Sequence, residues 1–445
     1  RGSRRPGTHM SASGRTSGGA LLIVADGLAE SPEGETTLSR SRTPALDRLA
    51  RHGDLFRLDP QGGVRAEEVT SERGVGALLG LGAGGDTPSR GGLLSLLSDP
   101  PPIRENASLP SWFYVATPVR YRRGKTMEEG LLCSYVNDPE WESALWNDLL
   151  ERLPSGRDFD LLPVPELRPP VEGVAGRRIL RMVAGFPSAL GKTGVPSSGF
   201  APRTGRLRSE ALAPEALIEW FDREIDRFEK EKGLPRTEGE EGGFGFGGGG
   251  ARPAVHSPAF PDRALVAQAP LVRALGRLAG YVDLPLSRAT GETDTDLREK
   301  LSQVMAALAS GARRAVLHVE GFDMASHRKD PVGKRLFLER FDREVLEPLL
   351  ASLLSGALGT LGITSDHRSS PRNGNHEAGT VPALRVSRDS LGRPGSAGAR
   401  MTEEIAETAP MISVGDWNDG LFFEGEPRET LRKIPLDERM TCRES

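Results

Sequence analysis

The chain has 445 residues, and its 58 basic and 62 acidic side chains give a formal net charge of −4. This length favours two or three domains, or one large core that carries an insertion. The mildly acidic balance argues against a nucleic-acid-binding protein, and no apolar run reaches the roughly 18 residues that a membrane helix needs. Two cysteines, Cys133 and Cys442, form neither a disulfide framework nor a zinc-knuckle spacing. We therefore predict a cytoplasmic protein with no nucleic-acid or membrane partner, and we predict no particular oligomeric state.

The first nineteen residues are interpreted as a leader outside the fold. Residues 1–10 read RGSRRPGTHM, which resembles a vector and tag remnant. Residues 11–19 are polar and glycine-rich, so we expect them to be disordered.

The first predicted element is a short, continuous apolar run, Ala20 to Ala25, which is typical of a buried parallel strand. It ends at Asp26-Gly27. Open α/β sheets place ligand-binding groups at the carboxyl ends of central strands. An ordinary Asp-Gly turn is the alternative interpretation of this dipeptide, but the motifs described below favour Asp26 as a metal ligand.

Two helices are predicted next. Thr43 suits an N-cap and Pro44 the first helical position of one helix, which Gly53 ends. The second lies in the segment VTSERGVGALLGL and places Ser71 at or near its N-terminus. Unpaired N–H groups and the helix dipole stabilise an anion there, as a serine alkoxide or a phosphoserine requires. The alternative is that Ser71 or Thr70 is only an N-cap.

The pattern changes between about residue 84 and residue 264, where proline-rich stretches interrupt short mixed segments. Ala216 to Lys232 is predicted to form a charged amphipathic helix. Gly242 to Gly250 is predicted to be a flexible hinge or a close-approach loop. We interpret the chain as a leader, a core in two parts, an inserted smaller α/β cap that binds substrate, and a tail. The proposed bounds are 1–19 for the leader, 20–84 and 265–425 for the metal-binding core, 85–264 for the cap and 426–445 for the tail.

Strand and helix patterns alternate again after Leu265. Leu301 to Ala309 and Lys334 to Leu354 are predicted helices, and Ala315 to Val319 is a predicted strand. This alternation predicts an α/β fold with a mostly parallel sheet covered by helices on both faces. A helix at Thr402 to Thr408 and a strand near Met411 to Val414 are predicted close to the end.

The segment from His318 to His376 carries most of the candidate metal ligands. Four of the six histidines that follow the leader fall here, in the stretches HVEGFDMASH and TSDHRSSPRNGNH. Asp323 and His327 stand four apart, Asp366 and His367 are adjacent after an apolar run, and His376 lies in a Gly/Asn-rich loop. Imidazoles and carboxylates on loops after strands suit Zn2+ or Mn2+. The alternative is a chance coincidence of surface side chains.

Together with Asp26 and a serine near position 70, these motifs resemble the alkaline-phosphatase superfamily. More narrowly, the chain resembles the archaeal-type cofactor-independent (2,3-bisphosphoglycerate-independent) phosphoglycerate mutases. The matching stretches are VADGLAE with TPALDRLA, SERGVGALLG, ATGETDTDLREK, and the run from HVEGFDMASH to GNHEAGTVPAL. The resemblance implies an alkaline-phosphatase-like core, with a mostly parallel sheet between helices, and an inserted cap.

The resemblance also implies a site with two divalent ions, Mn2+ or Zn2+ or alternatively Mg2+. One ion would be held by Asp323, His327 and His376. The other would be held by Asp26, Ser71, Asp366 and His367. Ser71 matches the family's nucleophile, which is transiently phosphorylated, and His318 matches a histidine near the site that we assign to substrate binding.

The chain departs from the family pattern in the cap. Ser111-Trp112-Phe113 stands where family members carry an Arg-x-Asn segment, and Leu180-Arg181-Met182 keeps only the arginine of a Tyr-Arg-His segment. Losing these donors costs bidentate contacts to an anionic substrate. We assign Arg181, Lys192 and Arg203 as compensating substrate-binding residues, with ordinary solvated surface charges as the alternative.

These motifs predict a metal-dependent phosphoryl-transfer enzyme with a phosphoserine intermediate. We predict a phosphomutase, an isomerase similar to phosphoglycerate mutase, that acts on a small phosphorylated metabolite. The first alternative is a phosphatase, a hydrolase of a different phosphoester that uses the diverged cap. A non-catalytic homologue that keeps the fold as a binding or scaffold protein is the second alternative.

Overall fold

A seven-stranded sheet, a five-stranded sheet and a two-stranded ribbon, with surrounding helices, make up the part of the chain that a computed structural model describes. The described residues are 18–82, 88–98, 111–122, 132–135, 139–153, 159–163, 178–183, 215–232, 240–255, 259–395 and 399–422. Most of the predicted leader and the whole predicted tail therefore lie outside the described residues.

The strands are numbered in chain order. They are β1 (Ala20–Ala25), β2 (Asp54–Leu58), β3 (Ser111–Arg122), β4 (Leu132–Tyr135), β5 (Phe159–Pro163), β6 (Arg178–Val183), β7 (Glu240–Ala251), β8 (Arg263–Val266), β9 (Val282–Asp283), β10 (Arg314–Val319), β11 (Thr360–Thr364), β12 (Arg368–Ser369), β13 (His376–Glu377) and β14 (Val381–Ser387).

The helices are numbered in the same way. They are α1 (Thr37–Arg40), α2 (Pro44–His52), α3 (Ser71–Leu78), α4 (Arg90–Ser95), α5 (Pro139–Glu151), α6 (Glu215–Lys232), α7 (Pro270–Leu278), α8 (Leu297–Ala309), α9 (Gly321–His327), α10 (Pro331–Phe341), α11 (Glu347–Ser355), α12 (Arg388–Leu391), α13 (Glu403–Thr408) and α14 (Val414–Phe422).

The larger sheet has seven strands in the order β2-β14-β11-β1-β10-β8-β9. β1 lies at its centre and pairs in parallel with β10 and β11, whereas β14 pairs antiparallel with both of its neighbours. All six residues of β1 are buried, as a continuous apolar run predicts. The α/β fold with a mostly parallel central sheet is therefore confirmed.

Helices cover both faces of this sheet. Leu21 and Ile23 point into an apolar cluster with α2, α8, α10 and α11. Leu22 and Val24 point to the other face, into a cluster with α3, α4, α7 and α14. Because successive side chains of a strand alternate between faces, one short strand anchors both helical layers.

The register of the three central strands brings their carboxyl ends together. Val24 in β1 is opposite His318 in β10 and Thr364 in β11. The residues that follow each strand therefore emerge at one edge of the sheet. This edge is where the sequence places Asp26, the start of α9 and Asp366.

The smaller sheet has five antiparallel strands drawn from residues 111–251. β3 pairs with β4, β6 and β7, and β5 pairs with β6. The amphipathic helix predicted at Ala216 to Lys232 is α6, which buries Phe221, Ile225 and Phe228. The sheet falls within the residues proposed for the cap. Helix α4 also falls within those bounds, but its Leu93 packs against the central sheet. The division into domains stays a prediction.

The glycine-rich segment Gly242 to Gly250 is not a flexible hinge but part of β7. A Cβ at Gly249 would lie 2.0 Å from the ring of Tyr114, and one at Gly250 would lie 2.2 Å from Ser89 Oγ. The prediction of a flexible hinge or loop is therefore wrong, whereas the close approach given as its alternative is confirmed: these glycines let the backbone approach its neighbours closely within a paired strand.

The helix predicted from Lys334 to Leu354 is interrupted by a π-helical turn, Asp342–Leu346, between α10 and α11. The Asp342 carboxylate accepts hydrogen bonds from the N–H groups of Ala45 (3.1 Å) and Leu46 (2.8 Å). Thr43 is the N-cap residue of α2, but its side chain makes no capping hydrogen bond. The first turn of α2 is therefore capped by Asp342, which is distant in sequence, and not by the side chain of Thr43 as predicted.

Asp342→Ala is expected to lower the free energy of unfolding by about 1 kcal/mol, the usual loss for a helix-capping side chain. Asp342→Asn, which keeps an acceptor oxygen, should lose less. Urea unfolding of both variants at equal metal content measures the difference. Equal stability of wild type and Asp342→Ala would show that the contact does not stabilise α2.

The described C-terminal part confirms one predicted element and corrects another. α13 matches the helix predicted at Thr402 to Thr408, and Thr402 caps it. The strand predicted near Met411 is wrong: Met411 makes an isolated bridge to Arg57, and α14 begins at Val414. In the described part of the chain, no helix is both long enough and apolar enough to span a membrane.

Candidate metal centre

Three neighbouring strands deliver three carboxylates to one place. Asp26 follows β1 and donates its N–H to Val319 O at the end of β10 (3.0 Å). Gly27 donates its N–H to Asp366 Oδ1 (3.2 Å) after β11. Asp323 lies in α9, which begins directly after Glu320 at the end of β10. The predicted ligands thus meet although they are far apart in sequence.

Glycine is required at position 27 because the end of β1 approaches Asp323 closely. Its φ of 63° lies in the left-handed region, and a Cβ there would come within 2.6 Å of Asp323 Oδ1. The Asp-Gly dipeptide therefore does more than turn the chain, because it lets β1 end against the carboxylate of Asp323.

An inner group consists of Asp26, Asp366 and His367, all of them buried. His367 Nε2 lies 3.3 Å from Asp26 Oδ1 and 3.3 Å from Asp366 Oδ2. Ser71 Oγ lies 3.4 Å from the same His367 nitrogen. The four residues predicted for one ion are therefore brought together.

An outer group contains Asp323, His327 and His376. Asp323 Oδ2 lies 2.9 Å from His327 Nε2, and Asp323 Oδ1 lies 3.5 Å from His376 Nε2. The two histidine Nε2 atoms are 3.2 Å apart. His367 stacks on His376 with ring centroids 3.9 Å apart, and it can act as a ligand with either group. The His327 side chain is 44% exposed, so the outer group faces solvent.

Backbone carbonyls orient all three imidazoles. Nδ1 of His327 lies 2.9 Å from Gly374 O, Nδ1 of His367 lies 3.2 Å from Arg368 O, and Nδ1 of His376 lies 3.3 Å from Val69 O. A carbonyl only accepts, so each contact favours the tautomer with hydrogen on Nδ1 and a lone pair on Nε2. The Nε2 atoms that face the carboxylates are therefore prepared to bind a cation.

The start of α3 is fixed so that Ser71 Oγ stays available. Thr70 is the N-cap, and its hydroxyl accepts the N–H of Arg73. Gln61 Nε2 donates to Thr70 O (2.9 Å) and to Asp366 O (3.0 Å). Capping therefore falls to Thr70, and Gln61 joins the nucleophile helix to the ligand segment. Sequence reasoning missed Gln61, since no local pattern marks its contacts.

The inner group gathers two buried carboxylates around one imidazole. Burial and the nearby Asp26 carboxylate raise the pKa of Asp366 well above its usual range. Burial and Asp26 also raise the pKa of Glu320 to about 8. Asp26 Oδ1 and Asp366 Oδ2 are buried, and His367 Nε2, which lies 3.3 Å from each of them, makes a well-formed hydrogen bond with neither. A divalent cation would neutralise these oxygens, and a mixed imidazole and carboxylate set suits Mn2+ or Zn2+.

The metal-free protein is expected to lose stability as pH rises from 6 to 9. Glu320 has a folded pKa of about 8, raised above its ordinary 4.5, so its contribution is lost through that interval. His327, beside Asp323, has a pKa raised to about 9, and that contribution is also lost on the alkaline side. Chelator-treated protein should therefore show a falling Tm over this range, and Mn2+-loaded protein a smaller change. A rising Tm in the chelated sample would contradict this.

The four residues predicted to bind substrate lie in different parts of the chain. His318 is fully buried, and its Nε2 lies 3.1 Å from Asp26 Oδ2. This position favours a role in holding Asp26 over the predicted contact with substrate. Arg181 lies in β6 opposite Phe113, and its side chain is not among those described. Lys192 and Arg203 lie outside the described residues, so their roles stay predictions.

Two buried lysines behind the site were missed by sequence reasoning. Lys300 Nζ donates to His318 O (3.1 Å), and burial lowers its pKa to about 8. Lys334 Nζ donates to Ser369 O (2.9 Å), while Ser369 Oγ donates to Asp323 Oδ1 (2.6 Å). Both lysines belong to helices whose charged positions suggest a solvated face, so their burial could not be predicted from a local pattern.

Known proteins resemble this chain over part or most of its length. Residues 281–413 match the model of the Metalloenzyme superfamily. A 2,3-bisphosphoglycerate-independent phosphoglycerate mutase from Methanopyrus kandleri is 27% identical over 81% of this chain and 86% of its own length. A second such enzyme, from Archaeoglobus fulgidus, is 27% identical over 83% of this chain and 89% of its own length.

A solved structure shares the fold. The PH0037 protein of Pyrococcus horikoshii superposes with a TM-score of 0.63 at 21% sequence identity. The match covers 92% of this chain and 98% of that one. The overall architecture is therefore found in a solved protein of similar extent.

Proposed function

We propose that this chain, a homologue of archaeal 2,3-bisphosphoglycerate-independent phosphoglycerate mutases with a Metalloenzyme superfamily domain, is a metal-dependent phosphomutase that uses Ser71 as its nucleophile. One observation carries the proposal. Ser71 Oγ lies 3.4 Å from His367 Nε2, at the N-terminus of α3 and beside both groups of candidate ligands. A nucleophilic hydroxyl, buried carboxylates and imidazoles thus converge on one point.

The proposed site holds two divalent ions. The outer ion is assigned to Asp323, His327 and His376. The inner ion is assigned to Asp26, Ser71, Asp366 and His367. Bound cations there would lower the pKa of the serine hydroxyl and offset charge on the phosphoryl oxygens. Three imidazoles favour Mn2+ or Zn2+ over Mg2+.

The chain's own groups define two transfer steps. Ser71 Oγ gives up its proton and attacks phosphorus: the bond from Oγ to phosphorus forms, the bond from phosphorus to the substrate oxygen breaks, and this oxygen takes up one proton to become a hydroxyl. A second hydroxyl of the bound, dephosphorylated molecule then gives up its proton and attacks the phosphoserine: its bond to phosphorus forms, the bond from phosphorus to Ser71 Oγ breaks, and Oγ takes up one proton again. The positive end of α3 stabilises the negative charge in both steps. The substrate we propose is a phosphoglycerate, the substrate named for the relatives.

A phosphatase is the second candidate, and one observation favours it. Phe113 and Tyr114 are buried in the smaller sheet, at 3% and 5% exposure. These residues therefore pack a core in the region where the family pattern has a substrate-binding segment. A pocket with fewer donors would let water, rather than a second hydroxyl, take the phosphoryl group.

Incubation of the Mn2+-loaded protein with 3-phosphoglycerate tests the proposal. 31P NMR should show 2-phosphoglycerate without matching release of phosphate. Release of phosphate from 3-phosphoglycerate or another ester, with no isomerisation, would favour the phosphatase. No turnover, with no metal retained after addition of Mn2+ or Zn2+, would instead support a non-catalytic homologue.

A further inference from the structure

Helix α9 ends in a way that costs stability. Lys329 has φ 58°, the one positive value for a residue other than glycine in the described part of the chain. Its N–H donates to Ser326 O (2.8 Å), and the next N–H, that of Asp330, donates to Ala325 O (3.0 Å). This is the Schellman pattern, in which the left-handed position is usually glycine. A lysine there bears a steric cost that glycine avoids.

Local structure does not account for the lysine. A cation near a helix C-terminus is favourable, but Arg328 already supplies one at the preceding position. Lys329 is exposed, and among the described residues no carboxylate lies within ion-pair distance of it. Strained backbone conformations that no local contact explains are found most often at functional sites.

Lys329 stands beside the solvent-facing half of the candidate site. α9 carries both Asp323 and His327, and Lys329 follows His327 by two positions. A Cβ at Gly374 would come within 3.3 Å of Lys329 Cε and 3.4 Å of its Cγ. The aliphatic stem therefore crosses Gly374, whose carbonyl orients His327.

Arg328 adds a second cation at the same edge. Its guanidinium contacts the Glu292 carboxylate, whose side chain is 9% exposed, while the Arg328 side chain is 46% exposed. A guanidinium has five N–H donors, so a contact with one carboxylate leaves others for a second anion. The buried partner holds Arg328 in place next to His327.

We infer that Arg328 and Lys329 form a cationic rim that binds the second anionic group of the substrate, the one that is not transferred. This inference rests on the proposed function, because a phosphoglycerate carries a carboxylate besides its phosphoryl group. With the phosphoryl group at Ser71 and the outer ligands, that carboxylate would contact the rim at the end of α9, which carries His327. The rim would supply hydrogen-bond donors for the anionic substrate from the core. The cap segment around Phe113 lacks the donors that the family pattern has there.

The test compares Lys329→Gly, Lys329→Asn and Lys329→Arg in the full-length Mn2+-loaded protein. Glycine and asparagine both tolerate the left-handed conformation and remove the charge, whereas arginine keeps the charge and the strain. Lys232→Asn at the end of α6 is the control for removal of an exposed lysine. Titration calorimetry gives the Kd of 3-phosphoglycerate and of inorganic phosphate, with metal content and Tm measured alongside.

Lys329→Gly should raise the Kd of 3-phosphoglycerate about tenfold, with the Kd of inorganic phosphate and the metal content unchanged. Its Tm should rise by about 2 °C, because the strain is relieved. Lys329→Asn should lose affinity similarly, and Lys329→Arg should retain it. Unchanged 3-phosphoglycerate binding in both neutral variants would overturn the inference, as would an equal loss for phosphate. Wild-type protein that binds 3-phosphoglycerate but does not turn it over would refute the proposed function and leave the rim standing.

Discussion

Ser71→Ala is expected to reduce turnover by about a thousandfold or more, the scale of losing an activated nucleophile. The reason is geometric: Ser71 Oγ is the hydroxyl that lies 3.4 Å from His367 Nε2, at the first position of α3. Metal content should stay close to that of wild type, because the remaining six candidate ligands are intact. Steady-state kinetics with 3-phosphoglycerate and elemental analysis of the same sample measure both quantities.

Ser352→Ala is the matched control for Ser71→Ala. Ser352 is a half-buried serine of α11 whose hydroxyl donates to Pro348 O (2.9 Å), within its own helix, so its removal should leave turnover unchanged. If Ser71→Ala kept full activity, the nucleophile assignment would be refuted and Thr70 would be the next residue to replace.

His367→Ala is expected to lose both ions and activity together. His367 belongs to the inner group, can also act as a ligand together with Asp323 and His376, and stacks on His376, so its removal disturbs both ions. The loss of activity should exceed the roughly 10–100-fold that removal of an outer-shell partner typically costs. Asp366→Asn should likewise lose metal and activity, since it removes a charge from the inner group.

His327→Ala provides the contrast. His327 belongs to the exposed outer group, so its removal should weaken one ion and leave the inner one bound. Elemental analysis after gel filtration should therefore give about two ions per chain for wild type, one for His327→Ala and none for His367→Ala. Two ions retained by His367→Ala would contradict the proposed ligand set.

Much of this site could be predicted because its ligands follow strands with strong apolar patterns. The continuous run of β1 marked the end of a central strand, and the run before Asp366 did the same for β11. Parallel pairing then brings the residues that follow such strands to one edge of the sheet. The helix that begins at Ser71 was predictable from its own small and apolar residues.

The contacts that hold the ligands in place could not be predicted in this way. Gln61 joins Thr70 to Asp366 across some three hundred residues, and Lys334 reaches Ser369 from inside a helix that reads as amphipathic. The burial of His318 also depends on tertiary packing around Asp26. A local pattern carries no information about partners that only the fold brings near.

The presence or absence of glycine was a poor predictor of local backbone structure. The run from Gly242 to Gly250 has the composition of a flexible loop, yet it pairs along the length of β3 because neighbouring side chains occupy the space that its own would need. At Lys329 the opposite holds: a left-handed position that favours glycine is occupied by a long charged side chain. In both places the informative signal is the environment of the residue rather than its type.

The most direct test of a phosphoserine mechanism is to look for phosphate on Ser71 during turnover. Mn2+-loaded protein mixed with 32P-labelled 3-phosphoglycerate is quenched in acid within milliseconds, and its peptides are then mapped. We predict label on the peptide that contains Ser71 and none in Ser71→Ala. Product formation by the wild type with no label on that peptide above the Ser71→Ala background would contradict the account.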